Sequence, residues 1–387
     1  MATPKSDRPL HVAIIVETSK HYGRQLLRGI ARYQHYASPW SIFIEERGLD
    51  DPEPEWLDRW AGDGIITRNE DKTLSRRAAK RGIAVVNLRY ARDDETLPSF
   101  FSSEDQLTDL AVEHFVERGF VNFAFCGVAA PWSTKRGDTF ARKLDSLGHA
   151  CEFFSISTGS QRPSWEREQS ALVEWVTGLP KPVAVLAAND PRGLQVLDAC
   201  RRLGSDVPRE VAVLGVDNDP ELCALARPPL SSIDQGVETI GYRAAETLDR
   251  MMAGQRSTET TTHCEAASIV TRQSTDTLAI DDPHIRKALL FIAENASSAI
   301  SVEDAVGASG ISRRALEVRF REQLQTTIRA QIQMQKIRLL KRLLKETNLT
   351  LDQIAERAGY AYTEHMVTMF RREVGETPGE FRKRIVR

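Results

Sequence analysis

A chain of 387 residues is longer than one ordinary domain, so two or three domains are expected. A hydrophobic content of 41% and a charged content of 27% predict a globular chain with an ample core. No run of eighteen apolar residues predicts a membrane-spanning helix, and the N-terminal residues lack the apolar stretch of a signal peptide, so we expect a cytoplasmic protein. Five widely spaced cysteines indicate reduced thiols rather than disulfides or a metal cluster: Cys126, Cys151, Cys200, Cys223 and Cys264.

The net charge of −2 is unevenly distributed along the chain. Residues 281–387 carry nineteen Lys and Arg against fourteen Asp and Glu, a net charge of +5, so the rest of the chain carries −7. A mildly basic C-terminal part on an acidic body is typical of a DNA-binding module joined to a module that binds something else.

Apolar runs alternate with amphipathic stretches through residues 10–275. The runs predict buried strands at 12–16, 41–44, 64–66, 83–86, 121–125, 183–186 and 211–214. The amphipathic stretches between them predict helices at 22–36, 104–118 and 192–203. This alternation favours parallel sheets covered on both faces, and its length suits two Rossmann-like lobes around a cleft better than one sheet.

An all-helical part follows this region. Asp and Pro residues predict a linker at 276–284, between a sensor domain of residues 10–275 and a DNA-binding domain of residues 285–387. Residues 1–9 are expected to be disordered or extended. Helices are predicted at 285–295 and 328–346, and the longer one lies between two helix-turn-helix patterns at about 302–321 and 351–374.

In the first helix-turn-helix pattern, Ser312 is placed to cap the second helix, while Leu316 and Phe320 face inward. The predicted DNA-binding residues of this unit are Ser312, Arg313, Arg314, Glu317 and Arg319. An ordinary solvated helix would show the same charges. Repetition of the whole pattern favours DNA binding, because two units give one chain two adjacent contacts in the major groove.

The second pattern has the same design. Thr363 is predicted to cap its second helix, and Phe370 is predicted to pack inward. The predicted DNA-binding residues of this unit are Thr363, Glu364, His365, Thr368 and Arg371.

These C-terminal residues resemble the DNA-binding domain of AraC-type transcription regulators. The resemblance rests on Ala355 with Gly359-Tyr360, on Phe370-Arg371-Arg372, on residues 375–378 and on Phe381-Arg382. It implies a pair of helix-turn-helix units that bind operator DNA.

The preceding region resembles the effector domain of LacI/GalR regulators, which has the periplasmic-binding-protein fold. The matching residues are 188–190, 207–219, 228–233 and 240–245. The resemblance implies a two-lobed domain that binds a sugar in the cleft between its lobes.

A sugar site needs planar polar groups that pair with vicinal hydroxyls, and an aromatic face for the ring. Asp217 ends an apolar strand, at the edge where α/β ligand sites lie. The resemblance implies that Asp217 holds sugar hydroxyls and that Arg136 is the ligand-binding arginine. We expect the two side chains to face each other across the cleft. The other predicted ligand residues are Asp190 near the hinge, and Thr18, Tyr22 and Arg24 in the loop after the first strand.

Each of these assignments has a structural alternative. Asp217 could cap a helix, Arg136 could form a surface ion pair, and Asp190 could be the N-cap of the helix that follows it. Trp40 and Trp132 are expected in the core rather than against a sugar.

The sequence therefore predicts an α/β two-lobed periplasmic-binding-protein-like sensor followed by an all-α double helix-turn-helix domain. By resemblance, we expect a cytoplasmic homodimer that binds operator DNA and a pentose such as D-xylose, and contacts RNA polymerase if it activates transcription. No catalytic residues, metal site or cofactor are predicted. A repressor, a regulator that responds to another sugar or a nucleoside, and a transport component that binds sugar remain alternatives.

Overall fold

The computed structural model describes residues 8–37, 40–48, 51–69, 73–89, 97–154, 164–255, 261–264, 268–276, 282–324 and 326–386. Residues 1–7 of the expected N-terminal segment and 277–281 of the expected linker lie outside these ranges. The chain divides into two compact units, one of residues 1–113 and 122–276 and one of residues 114–121 and 277–387.

The first sheet of the described residues has six strands. They are β1 (His11–Ile15), β2 (Ser41–Ile44), β3 (Gly64–Thr67), β4 (Ala84–Asn87), β5 (Ser99–Ser102) and β11 (Thr261–Cys264). Their order is β11-β5-β4-β3-β1-β2, and every neighbouring pair is parallel.

The second sheet of the described residues also has six strands. They are β6 (Asn122–Cys126), β7 (Cys151–Phe154), β8 (Val183–Ala187), β9 (Val211–Val216), β10 (Ser231–Asp234) and β12 (Ser268–Val270). Their order is β12-β10-β9-β8-β6-β7, and β12 is the antiparallel edge strand on β10. Strands β8 and β9 are buried along their whole length, which explains their unbroken apolar sequences.

Helices connect and cover these strands. They are α1 (His21–Tyr36), α2 (Thr73–Lys80), α3 (Glu104–Val116), α4 (Pro131–Asp145), α5 (Trp165–Gly178), α6 (Asp190–Leu203), α7 (Pro220–Leu225) and α8 (Val237–Met252), with a short 3-10 helix at Glu55–Arg59. Helix α8 follows β10 of the second sheet and packs on α1 and on strands of the first sheet, so the chain crosses between two lobes. The predicted two-lobed α/β fold is confirmed.

The second unit contains the C-terminal helices. They are α9 (Pro283–Glu294), α10 (Val302–Ser309), α11 (Arg313–Leu324), α12 (Ile328–Glu346), α13 (Leu351–Arg357), α14 (Thr363–Val374) and α15 (Pro378–Val386). Helices α10 and α11 form the first helix-turn-helix, and α13 and α14 form the second. Gly310 and Gly359 have the positive φ angles of 75° and 68° that the predicted turns require.

Helix α12 belongs to both helix-turn-helix cores. Its N-terminal half contributes Ile328 and Ile332 to the cluster around Phe320. Its C-terminal half contributes Leu340 and Leu344 to the cluster around Phe370. The predicted inward orientation of both phenylalanines is confirmed, since each is fully buried. Among the described residues, no helix is both long enough and apolar enough to cross a membrane.

Candidate functional site: an interlobe cavity and two recognition helices

A cavity of about 500 Å³ lies between the two lobes of the first unit. Its first-lobe wall includes the segments that follow β1 and β3, and its second-lobe wall includes the start of α4 and the segment that follows β9. These segments leave the carboxyl ends of parallel strands, which is where open α/β sheets bind ligands. Of the predicted ligand residues, four line the cavity: Tyr22, Arg24, Arg136 and Asp217.

Asp217 is the first residue after β9, and its backbone has an unusual φ of 107°. A non-glycine residue adopts such an angle only when its surroundings impose it, and this strain is common at binding sites. Its Oδ1 accepts a hydrogen bond of 2.5 Å from Gln235 Nε2. The cap of α7 is Asp219, whose carboxylate accepts from the Leu222 N–H, so Asp217 is not the helix cap.

Burial raises the pKa of Asp217 to about 6, and the nearby charge of Arg136 opposes this rise. The carboxylate is therefore ionised at neutral pH and becomes protonated in mildly acidic solution. An ionised carboxylate accepts hydrogen bonds from hydroxyl groups, which is the chemistry that a sugar site needs.

Arg136 is a buried arginine on α4. Its Nε and Nη2 donate to the two carboxylate oxygens of Glu104 at 2.8 and 3.0 Å, and its Nη1 donates to the Ala188 carbonyl at 2.5 Å. The Arg136 side chain is only 5% exposed, so its ion pair with Glu104 is buried. The alternative that Arg136 forms a surface ion pair is therefore wrong. The guanidinium carbon also lies 5.3 Å from the centroid of the Trp132 ring. Trp132 lines the cavity, so the expectation that it lies in the core is wrong.

Gln235 connects Arg136 with Asp217. Its Oε1 accepts from Arg136 Nη2 at 3.5 Å, and its Nε2 donates to Asp217. Both charged residues come from elements of the second sheet's lobe, so the prediction that they face each other across the cleft is wrong. They form one continuous polar wall instead.

The opposite wall contains a charged group that the sequence did not indicate. Glu17 follows β1 and Arg68 follows β3, and the two form a buried ion pair. The Arg68 guanidinium carbon lies 4.1 Å from the centroid of the Tyr22 ring, so it also holds the aromatic face of the cavity by a cation–π contact. The only signal in the sequence for these residues was their position directly after apolar strands.

Arg24 and Thr18 belong to the loop at the rim. Arg24 lines the cavity and donates from Nη1 to the Thr18 carbonyl at 3.2 Å. The Thr18 hydroxyl accepts from the Arg47 N–H, and Thr18 is not part of the cavity lining. Thr18 therefore shapes the loop that presents Arg24.

Asp190 is the first residue of α6 and lies behind the cavity wall. Asn189, not Asp190, caps the helix by accepting from the Arg192 N–H. The Asp190 carboxylate accepts from the Asp219 N–H at 2.7 Å and from the Ser232 hydroxyl at 2.5 Å. Burial, reinforced by the negative charge of Asp217, raises the pKa of Asp190 to about 8. Asp190 thus holds the segment between β9 and α7 rather than lining the cavity.

On the first recognition helix, α11, some of the predicted DNA-binding side chains are paired with other side chains of the protein. Ser312 caps it by accepting from the Ala315 N–H at 3.3 Å, as predicted. Arg313 is paired with Glu303 and Glu317, and Arg319 donates to Asp282 at 2.6 Å. Among the residues that the structure describes, exposed Arg314 has no ion pair or hydrogen bond, so its guanidinium is available to DNA.

The second recognition helix, α14, presents Glu364, His365, Thr368 and Arg371, which are all exposed. Thr363 is the first residue of the helix, and Tyr362 occupies the cap position without a side-chain bond. The prediction that Thr363 caps the helix is wrong, because its hydroxyl donates to Asp352 Oδ1 at 2.6 Å instead. This bond ties α14 to α13 across the turn.

Lys336 of α12 joins the two helix-turn-helix units. Its Nζ donates to the Ser298 carbonyl at 3.0 Å, just before the first helix-turn-helix. It also donates at 2.8 Å to the Ala358 carbonyl, in the turn of the second helix-turn-helix. The ammonium also lies 4.8 Å from the centroid of the Tyr360 ring. Burial lowers the pKa of Lys336. These contacts connect the middle of α12 to the segment before α10 and to the turn between α13 and α14.

Comparison with known proteins assigns the same modules. A family model of the XylR N-terminal domain matches residues 11–100, a periplasmic binding protein-like domain matches residues 112–275, and a helix-turn-helix domain matches residues 306–384. The xylose operon regulatory protein of Haemophilus influenzae is 30% identical over 381 residues, which cover 96% of this chain and 97% of the relative. That of Escherichia coli K12 is 29% identical over 383 residues and 96% of both chains.

A solved structure described as a xylose-binding transcription activator is 27% identical, with a TM-score of 0.63 over 97% of this chain and 98% of its own. The cavity between the lobes, the paired recognition helices and these matches define a sugar-responsive, DNA-binding transcription regulator rather than an enzyme. The chain belongs to the family of xylose operon regulatory proteins.

The first prediction concerns the Lys336 contacts. Lys336→Met removes the side-chain donor from the buried Ala358 carbonyl and one of two donors from the Ser298 carbonyl, so we expect the C-terminal unit to lose about 1–3 kcal/mol of unfolding free energy. All six tryptophans precede residue 176, so tryptophan fluorescence follows the sensor alone while far-ultraviolet circular dichroism follows both units. The loss should appear only by circular dichroism. Lys287→Met, at an exposed position on α9, is the control, and equal stability of the two variants would refute the bracing role.

Proposed function

We propose that this chain is a D-xylose-responsive activator of pentose-utilisation genes that works as a homodimer in the cytoplasm, where its DNA target lies. The observation that carries the proposal is the polar wall formed by Asp217, Gln235 and Arg136 opposite the Tyr22 face. The match to xylose operon regulators over nearly the whole chain supports xylose as the effector.

In this proposal, Asp217 accepts from vicinal hydroxyls of the sugar while the guanidinium of Arg136 donates to another oxygen. Tyr22 and Trp132 supply apolar faces for the pyranose ring, and Arg24 covers the rim. Asp190 and Thr18 act indirectly, because they position the segments that carry the contacting residues. Sugar binding does not have to remove much water from Arg136 or Arg68, because both side chains are already largely buried and each is paired with a carboxylate.

Sugar that contacts both walls favours the arrangement in which the lobes are close together. The change in operator affinity can be no larger than the difference in sugar affinity between the two arrangements. We place the sensor at residues 10–275, the linker at 276–284 and the DNA-binding domain at 285–387. A dimer would present four recognition helices to one operator, and an activator would also contact RNA polymerase.

Calorimetric titration of the full chain tests the effector. D-xylose is expected to bind one site per chain and to raise the thermal stability of the sensor, by about 2.7 kcal/mol at a hundredfold excess over Kd. D-ribose, L-arabinose and D-glucose serve as matched sugars. Absence of D-xylose binding, or stronger binding of one of the other sugars, would contradict the proposal, and the second result would favour a regulator of another sugar.

A further prediction addresses the role of the Asp217 charge. Asp217→Asn keeps the side-chain volume and removes the charge, so we expect xylose affinity to fall by about 1.4–2.8 kcal/mol, or roughly ten- to a hundredfold. Because the pKa of Asp217 is about 6, wild-type affinity should also decrease as pH falls from about 7.5 to 5.5, whereas the affinity of the variant should stay level.

Asp145→Asn, at an exposed position at the end of α4, is the matched control and should keep both the affinity and the pH dependence. Wild-type xylose affinity in the Asp217→Asn variant would show that this carboxylate is not a sugar ligand.

Arg314 is the side chain of α11 expected to read bases. Against a duplex selected by the wild-type chain from random sequences, Arg314→Ala should lose about 1–3 kcal/mol of affinity, and it should lose less on unselected DNA. Arg329→Ala, at an exposed position on α12, is the control. An equal loss on selected and unselected duplexes, measured by fluorescence anisotropy, would identify Arg314 as a phosphate contact instead.

A further inference from the structure

Three potential metal ligands from the two lobes meet at the cavity. His21 is the first residue of α1 in the first lobe, and Asp219 and Glu221 lie at the start of α7 in the second. One nitrogen of His21 and one oxygen of each carboxylate all lie within 4.8 Å of one another. A small inward movement of these side chains would bring all three atoms onto one cation at the 2.0–2.2 Å bond lengths typical of zinc, as a rough guide.

The histidine is prepared for this role by its surroundings. His21 is 7% exposed, and its Nε2 is hydrogen-bonded to the Gln25 side chain.

The donor set selects the kind of cation. One imidazole nitrogen with two carboxylate oxygens suits Zn²⁺ and neighbouring divalent transition metals, whereas Mg²⁺ and Ca²⁺ prefer oxygen ligands alone. The Gln25 amide is placed as the outer hydrogen-bond partner that usually orients a ligating histidine. The side chains of Lys20 and Arg24 also line the cavity, so two carboxylates are needed to make the local field attractive to a cation.

We propose that His21, Asp219 and Glu221 form a divalent transition-metal site that joins the two lobes at the rim of the sugar cavity. Three protein ligands leave coordination positions open to water or to a sugar hydroxyl. A cation held by both lobes stabilises their close arrangement, so metal and sugar should each raise the affinity of the other. The site does not depend on which sugar the cavity binds.

The experiment uses Co²⁺, whose visible absorption reports its ligands, on the reduced full chain after treatment with a chelator. We expect one saturable site per chain that Zn²⁺ displaces. His21→Gln and Glu221→Gln should each weaken binding by more than about tenfold, since losing even an outer-shell partner costs roughly ten- to a hundredfold. His149→Gln and Glu152→Gln, outside the cavity lining, are the matched controls and should bind Co²⁺ as the wild type does.

Three results would overturn the proposal. They are no saturable Co²⁺ signal, a signal that survives both His21→Gln and Glu221→Gln, and thiolate-to-cobalt charge transfer, which would place the ion on cysteine. Glu221 is exposed, so Glu221→Gln remains informative if His21→Gln fails to fold. Sugar affinity of the metal-free chain is measured in parallel. If it falls in His21→Gln while no Co²⁺ site exists, the three residues contact the sugar instead, and the metal proposal fails. If the wild-type chain binds Co²⁺ at this site but binds no sugar, the proposed sugar-binding function is contradicted and the metal proposal is not.

Discussion

Charge burial is the constraint on which the sensor depends. The Arg136 side chain is buried, and taking a guanidinium out of water costs several kcal/mol unless most of its donors are satisfied. The two carboxylate oxygens of Glu104 accept hydrogen bonds from two of these donors, and the Ala188 carbonyl accepts from a third. Gln235 Oε1 accepts a longer hydrogen bond from Arg136 Nη2. The same requirement explains the Glu17–Arg68 pair on the opposite wall. The cavity can therefore display strong donors and acceptors to a ligand while its charges remain compensated without one.

The DNA-binding unit solves a different problem, which is to hold two recognition helices at a fixed separation. A single long helix, α12, contributes buried residues to the hydrophobic cores of both helix-turn-helix units. Lys336 adds direct bonds from this helix to the backbone on both sides. Such a rigid spacer lets a small change in the position of the whole unit alter two groove contacts together.

Much of this architecture could be predicted from the sequence. The unbroken apolar runs of β8 and β9 and the long amphipathic pattern of α12 are strong local signals, and the bounds of α12 agree with the prediction. Strands β5, β7 and β10 were missed because their sequences mix serine or charge with apolar residues and form no unbroken apolar run. The cap of α14 was also misassigned, because the hydroxyl of Thr363 found a partner on another helix.

The cavity was harder to predict than the fold. Asp217, Arg136, Tyr22 and Arg24 reach it as expected, but their partners Glu17, Arg68, Glu104 and Gln235 come from distant parts of the chain. Hydrogen-bond pairing between residues up to 99 positions apart leaves no local pattern in a sequence. For the same reason, the arrangement of Arg136 beside Asp217, with Gln235 between them, needed the structure.

Coupling between sugar and DNA is tested most directly by measuring both affinities of the full chain in a closed cycle. Affinity for the selected duplex is measured with and without saturating D-xylose, and affinity for D-xylose with and without saturating duplex. A sensor that controls the DNA-binding unit predicts tighter operator binding with xylose and the same factor in both directions, because coupling free energies are reciprocal. Operator affinity unchanged by saturating xylose would contradict it.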